Sequence, residues 1–350
     1  MGGVILADAD EHNVYLRSDI PESSWDDDLS TFKFTYSGNT DGYDIYTYSI
    51  NAESLNQDIY FRFHVDNWDY QFAPNSDTDS GNYTFSFADG KSDTYNDRTQ
   101  DHYGINVHYN NIKSDSRTFC IPHSSIKASE YTITLKFEGY DNGNDVLMFI
   151  DIVSMPATVS DLGYATFSCN RALDFSDVTG LSAYKASLNE DNKVVLTKVT
   201  GTVAAGTGLL LAGSTTNIPV VETSAGTDIS SSNLLKASVT ATEVAASTTG
   251  AYHYFLAGTS AETVGFYNVA TAATSGAGKA YLETTTALAT ESTGARVAWI
   301  FENDGTTGID SAKHSAERSS QNTLFDLEGR AVAQPTKGLY IKNGKKVIVR

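Results

Sequence analysis

Trp68 and Tyr70 stand two apart in YFRFHVDNWDYQFAP (60–74), on the parity opposite to Phe61, Phe63 and Val65. Flat rings of this kind stack on the C–H faces of sugars, while polar side chains at the rim bond the hydroxyls. Arg62 and Arg98, with neighbouring Asn and Asp, are the candidate hydroxyl partners. Trp25, inside PESSWDDDL, sits in an acidic stretch without apolar alternation, so it is a second stacking candidate or else the plug of a core not visible locally. Trp68 has the same alternative, because a lone tryptophan of a β-sandwich is frequently a core residue. Tyr46 and Tyr48 alternate with Ile45 and Thr47; core packing is the first reading for them and an exposed ladder the second.

Hard oxygen ligands gather in NSDTDSGN (75–82), with Asp77 and Asp79, and in YDNGNDV (140–146), with Asp141, Asn142 and Asp145. Such residues suit a structural calcium, but neither stretch completes an EF-hand, since the twelfth position counted from Asp77 is Ala88. Turn formation by Asp and Asn explains both stretches equally well. The seven histidines (12, 64, 102, 108, 123, 253, 314) show no paired spacing on one strand apart from His102 and His108, and read as structural or surface residues. A glycosidase needs two acids about 5–10 Å apart, one with a raised pKa. Nothing selects such a pair from the acidic background, and no nucleophile elbow, phosphate loop or zinc-protease motif is present. The expectation is a non-enzyme with no cofactor beyond that calcium.

These residues would be positioned almost entirely by strands. Short β-rich runs punctuated by Gly, Asn, Asp or Ser recur: TFKFTY, YDIYTYSI, IYFRFHV, NYTFSFA, GINVHY, YTITLKFEG and DVLMFIDIV. Seven strands before Pro156 are the count of a β-sandwich. After Pro156 the texture shifts to Ala, Thr, Gly and Val, with runs such as KVVLTKV, YHYFLAG, VGFYNV and KAYLE and a short hairpin connection at LNEDNK. The expected fold class is all-β: an N-terminal β-sandwich (1–155), a second all-β domain (156–310), and a linker with a small C-terminal β-hairpin unit (311–350) turning at Asn343-Gly344. A chain of 350 residues has room for this many parts.

Charge and aromatics divide the same way. Residues 1–155 carry 26 Asp and Glu against 9 Lys and Arg, so the net charge of −19 belongs almost wholly to this half, as do 25 of the 39 aromatics. An acidic surface repels phosphate backbones, which argues against nucleic acid as a partner. No stretch approaches the roughly 20 apolar residues of a membrane span. Cys120 and Cys169 are too few for a disulfide framework and are expected to be free thiols ahead of a bridge. Met1-Gly2-Gly3 opens without the regions of a signal peptide, so the protein is cytoplasmic or has lost a leader; the composition favours the second.

DLEGRAVAQPTKGLYIKNGKKVIVR (326–350) resembles the C-terminal tails of secreted Bacteroidetes proteins, in particular the type A sorting segments of the type IX secretion system. That resemblance covers about 25 residues and implies secretion or outer-membrane surface attachment. Residues 156–309, with GYATFSCNRALDFSDVTGLSAYKASL, GKAYLE and TTGID, resemble a domain that often precedes such tails and has no established chemistry. More loosely, IYFRFHVDNWDYQFAPN and YTITLKF resemble SusE/SusF-type outer-membrane starch-binding modules, although no lipoprotein cysteine stands near the start. Together these imply a secreted or cell-surface, non-catalytic binder of polysaccharide or other glycan. The competing readings are a structural or adhesive surface protein and, third, a glycoside hydrolase.

Overall fold

In a computed structural model of the chain the structure describes residues 13–20, 32–65, 71–74, 82–96, 106–108, 118–138, 146–260, 262–291 and 295–302, together with the strands of 324–349. The described residues are all-β apart from a one-turn helix and short 3-10 turns. They fall into two compact units, Met1–Trp299 and Ile300–Arg350.

The first unit opens with β1 (Val14–Ser18), β2 (Thr35–Thr40), β3 (Tyr43–Asn51), β4 (Ile59–Val65), β5 (Gln71–Ala73), β6 (Asn82–Thr84), β7 (Ser92–Asn96), β8 (Asn106–His108) and β9 (Thr118–Ile121). The helix α1 (His123–Ile126), β10 (Glu130–Glu138) and the long β11 (Val146–Ala157) follow. One sheet runs β6-β9-β4-β5-β8, with β1 also paired to β4; the facing sheet contains β2-β3-β10-β11, with β7 on the far edge of β11. Period-2 alternation decides what each sheet buries. Tyr131, Ile133 and Leu135 of β10 stand level with Met148, Ile150 and Ile152 of β11 and are fully buried, while Thr132, Thr134 and Lys136 face out half-buried. Tyr46 is buried at 3% exposure and Tyr48 packs on the same core, so the first reading of these two residues holds. Aromatic edges join the two layers: Phe63 meets Phe137 at 6.4 Å, and Tyr95 meets Phe119 at 5.1 Å, both T-shaped.

The boundary expected at Pro156 falls inside a strand. β11 pairs with β7 from Leu147 to Asp151, then with β18 (Thr216–Val221) from Ser154 to Ala157. That second partner carries β13 (Ala172–Asp174) and β16 (Thr202–Val203) into the same sheet. Proline gives no ladder N–H and usually marks a strand end. Here β10 stops opposite Ser154, so Pro156 has a neighbour on one side only and is tolerated. Met155, Ala157, Ile218 and Val220 enter the same apolar core as Phe61 and Ile133. The change of composition at Pro156 is therefore not a break in the fold.

Beyond it, β12 (Tyr164–Phe167), β14 (Leu181–Leu188), β15 (Val194–Val199) and β17 (Leu209–Gly213) form a third sheet. One face of it, with Phe167, Leu181, Ala183, Leu209 and Leu211, joins that core. The other face, with Leu210, Ala186, Leu196 and Val194, is equally buried. A fourth sheet, β19-β24-β21-β22, is tied to this third sheet: β19 (Leu235–Ser238), β21 (Tyr252–Ala257), β22 (Gly265–Asn268) and β24 (Lys279–Thr284), with β20 (Thr242–Val244) and β23 (Ala273–Ser275) as a side ribbon. Asn233 ties the two sheets, accepting from the Ala186 amide at 3.0 Å and donating to the Gly208 carbonyl at 2.7 Å. The approach is close enough that a Cβ on Gly208 would lie 2.7 Å from the Leu235 carbonyl oxygen. Trp299 stands between Tyr164 at 5.5 Å and Phe266 at 5.8 Å.

β25 (Trp299–Phe301) spans the division between the units. Taken by itself, the second unit is an antiparallel sheet in the order β27-β26-β28-β29, built of β26 (Leu324–Phe325), β27 (Ala331–Val332), β28 (Gly338–Lys342) and β29 (Lys345–Val349). Lys342 pairs with Lys345, which leaves the two residues Asn343 and Gly344 as the connection. Asn-Gly is the dipeptide that a two-residue hairpin turn favours.

Candidate functional site

Of the residues singled out for sugar and metal, Trp25, Trp68, Tyr70, Arg98, Asp77 and Asp79 lie outside the described residues, as do Asp141, Asn142 and Asp145. What is described is the frame that carries Trp68 and Tyr70. β4 and β5 pair antiparallel, with Phe63 opposite Phe72 and His64 opposite Gln71, so the chain reverses direction between Val65 and Gln71. Ile59–Val65 and Gln71–Ala73 are thus two antiparallel strands, not one continuous run. Phe61 and Phe63 point into the sandwich at 0% exposure. Arg62 is on the other face of β4, register-opposite Arg17 of β1, and is buried at 7%, with His64 buried beside it. Both faces of β4 are therefore covered, which alternation alone does not foretell.

His123, Tyr131 and the Leu55 carbonyl form a buried polar chain. His123 on α1 bonds the Tyr131 hydroxyl through Nδ1 at 2.8 Å and the Leu55 carbonyl through Nε2 at 3.1 Å. A carbonyl only accepts, so Nε2 carries the proton and Nδ1 accepts from the Tyr131 O–H. Burial pushes the His123 pKa down and that of Tyr131 up, keeping both neutral. Above the ordinary value of 6.5 the imidazole is neutral folded or unfolded and contributes no pH dependence. As the pH falls below that value the unfolded chain takes a proton the folded chain refuses, and stability drops until the folded imidazole titrates. We expect the urea midpoint to fall between pH 7 and pH 5, with His123→Gln flattening that part of the profile; an unchanged slope would remove His123 as its source.

Asp19 is the described carboxylate whose pKa is raised, chiefly by burial, with the Asp58 charge adding to the effect. Its oxygens are engaged structurally, Oδ1 by the Tyr60 amide at 2.8 Å and Oδ2 by Gln57 at 3.3 Å. Among the described residues no group of three or more His, Cys, Asp or Glu is placed to hold a metal ion. Cys120 and Cys169 are free, the first buried and the second partly so.

A second arrangement was not anticipated from sequence. On the outward face of the fourth sheet, register places Lys236 opposite Tyr281, and Phe255 opposite Tyr267. His253 stands opposite Glu283, which sets Phe255 beside Tyr281, the ring centroids 6.4 Å apart and perpendicular. Arg296 bridges to Tyr267 at the far edge. The result is a line across five neighbouring chain segments: a cation, three half-buried aromatics and a second cation. Tyr254, Phe266 and Leu282, on the opposite parity, are buried. The line is braced, because the Tyr267 hydroxyl donates to the Thr263 carbonyl at 2.5 Å and Arg296 is held by Val264 and Glu291. One step along the strands, His253 Nε2 lies 3.5 Å from the Glu283 carboxylate. His253 Nδ1 has no hydrogen-bond partner among the described residues. Period-2 aromatics in YHYFLAG, VGFYNV and KAYLE were the available signal, but Tyr252 and Tyr254 alternate with His253 and Phe255, and only cross-strand register shows which set aligns.

Among the described residues no helix is long and apolar enough to cross a membrane, which says nothing of strands. Comparison with family models, with curated proteins and with solved structures finds no match to this chain.

Proposed function

We propose that the protein is a non-catalytic, secreted or cell-surface binder of polysaccharide or other glycan, acting through aromatic stacking on its N-terminal sandwich. The observation that supports this reading is the antiparallel pairing of β4 with β5, which makes Ile59–Val65 and Gln71–Ala73 two strands and not one continuous run. Had 60–74 been one continuous strand, Trp68 and Tyr70 would have stood on a sheet face as core candidates. Secretion and surface attachment rest on the resemblance of residues 326–350 to sorting segments. Individual stacking contacts contribute about 1 kcal/mol, so each site is expected to bind in the micromolar to millimolar range and to gain from multivalency.

Affinity electrophoresis of the full chain against α-glucans, xylans, pectins and host glycans tests the reading. Retardation by at least one polymer, weakened by Trp68→Ala and Tyr70→Ala, is the expected result. No retardation on any polymer removes it. A structural or adhesive role is favoured by a different observation: Phe34, Phe61, Phe63, Phe85, Phe87, Phe119 and Tyr131 are all buried, so much of the aromatic excess serves packing. That reading stands if the wild type migrates freely through every gel.

A further inference from the structure

We infer that the outward face of the fourth sheet is a second glycan subsite, taking a chain of pyranose rings laid across the strands over Tyr281, Phe255 and Tyr267. The inference rests on the reading of the protein as a glycan binder but places binding at an independent site. Three observations support it. Register sets the three rings on neighbouring strands, and adjacent strands lie roughly 5 Å apart, about the length of one pyranose unit. Tyr281 and Tyr267 are therefore about 10 Å apart, the span of two linked units. The perpendicular setting of Phe255 and Tyr281 offers a ring face beside a ring edge, a step against which a puckered sugar seats more closely than on a flat sheet.

The rim has the polar character that sugar hydroxyls require. Glu283, 41% exposed, presents acceptor oxygens while its partner His253 is held at 14%; Lys236 is an exposed donor at the other side of Tyr281. The carboxylate also raises the Tyr281 pKa, after burial, so the phenol stays protonated and able to donate. A neutral or weakly acidic polyol satisfies both signs of rim group. A nucleic acid or a purely apolar segment leaves one of them unpaired.

The test is affinity electrophoresis of the full chain on the same polymers, with two variants compared. Phe255→Ala/Tyr281→Ala removes two rings from the line, and Trp25→Ala/Trp68→Ala/Tyr70→Ala removes the N-terminal candidates. Tyr281→Phe keeps the ring and serves as the conservative rescue, and unfolding curves check that each variant is folded. The expected result is that the first variant weakens binding of at least one polymer about tenfold or more, that Tyr281→Phe restores most of it, and that the triple variant retains it. If the triple variant abolishes all binding while the sheet variant binds as wild type, the inference is overturned and the N-terminal reading stands. Loss of all binding in the sheet variant alone upholds the inference and moves the function away from the N-terminal sandwich. Absence of wild-type binding removes both.

Discussion

Phe119→Ala lowers the stability of the first unit by about 4 kcal/mol and its melting temperature by roughly 10 °C. Phe119 lies on β9 at 0% exposure, with the rings of Tyr95 at 5.1 Å, Phe61 at 5.5 Å, Phe63 and Phe85 at 6.2 Å and Tyr83 at 6.5 Å around it. Five rings from three different chain segments cannot all move into the space of a sixth, so the transfer loss is joined by a cavity. Phe149→Ala is the control. That ring sits half-buried on the outward face of β11, with the Lys136 ammonium 5.0 Å from its centroid, and its loss is expected to cost about 1 kcal/mol or less. Urea unfolding of the two variants side by side measures the contrast; equal effects would mean that the N-terminal sheets do not share the aromatic core described.

Ile218→Asp is expected to destabilise by more than about 4 kcal/mol and to do so on both sides of Pro156. Ile218 is fully buried on β18, opposite Met155. A carboxylate there is set among the apolar side chains of the core, so it must be buried at great expense or force the strand away. Because β18 hydrogen-bonds to β11, and β11 to β10, the damage enters the N-terminal sandwich through the backbone as well as through packing. Scanning calorimetry of the wild type should therefore show one transition for residues up to Trp299, displaced as a whole by this substitution. Two transitions, the upper unmoved in the variant, would show that the two halves melt independently despite their common sheet.

Much of the fold is legible wherever local chemistry decides it. YTITLKFEG and DVLMFIDIV alternate cleanly and become β10 and β11. LNEDNK closes a hairpin because Asn189 accepts from the amides of Asp191 and Lys193 and Asn192 adopts φ 56°, all properties of turn residues themselves. Legibility fails where distant groups intervene. NYTFSFA alternates like a strand, yet only Asn82–Thr84 is one. The Asp93 carboxylate captures the amides of Ser86 and Phe87, and Phe87 takes φ 50°, so two buried phenylalanines enter the core from irregular backbone. TFKFTY begins too early for the same kind of reason: Lys33 makes only a single bridge, to Tyr15, and the strand starts at Thr35. For the candidate sites, the residue types were readable and the register was not. Nothing in KAYLE says that its tyrosine will stand beside Phe255, since that depends on how β24 slides against β21.

The handover on the far edge of β11, from β7 to β18, also has a mechanical meaning. A pull along β11 loads its ladders with β10 and β7 over one stretch and with β18 over the next. Antiparallel ladders loaded lengthwise resist in shear, where many hydrogen bonds must yield together; loaded crosswise they open one bond at a time. Tension entering at Ala157 would thus be shared between β18 and the remainder of the strand before it reaches the sandwich. Such a strand acts as a splice, so that a load on one half of this unit is passed along a shared ladder without peeling the other half apart.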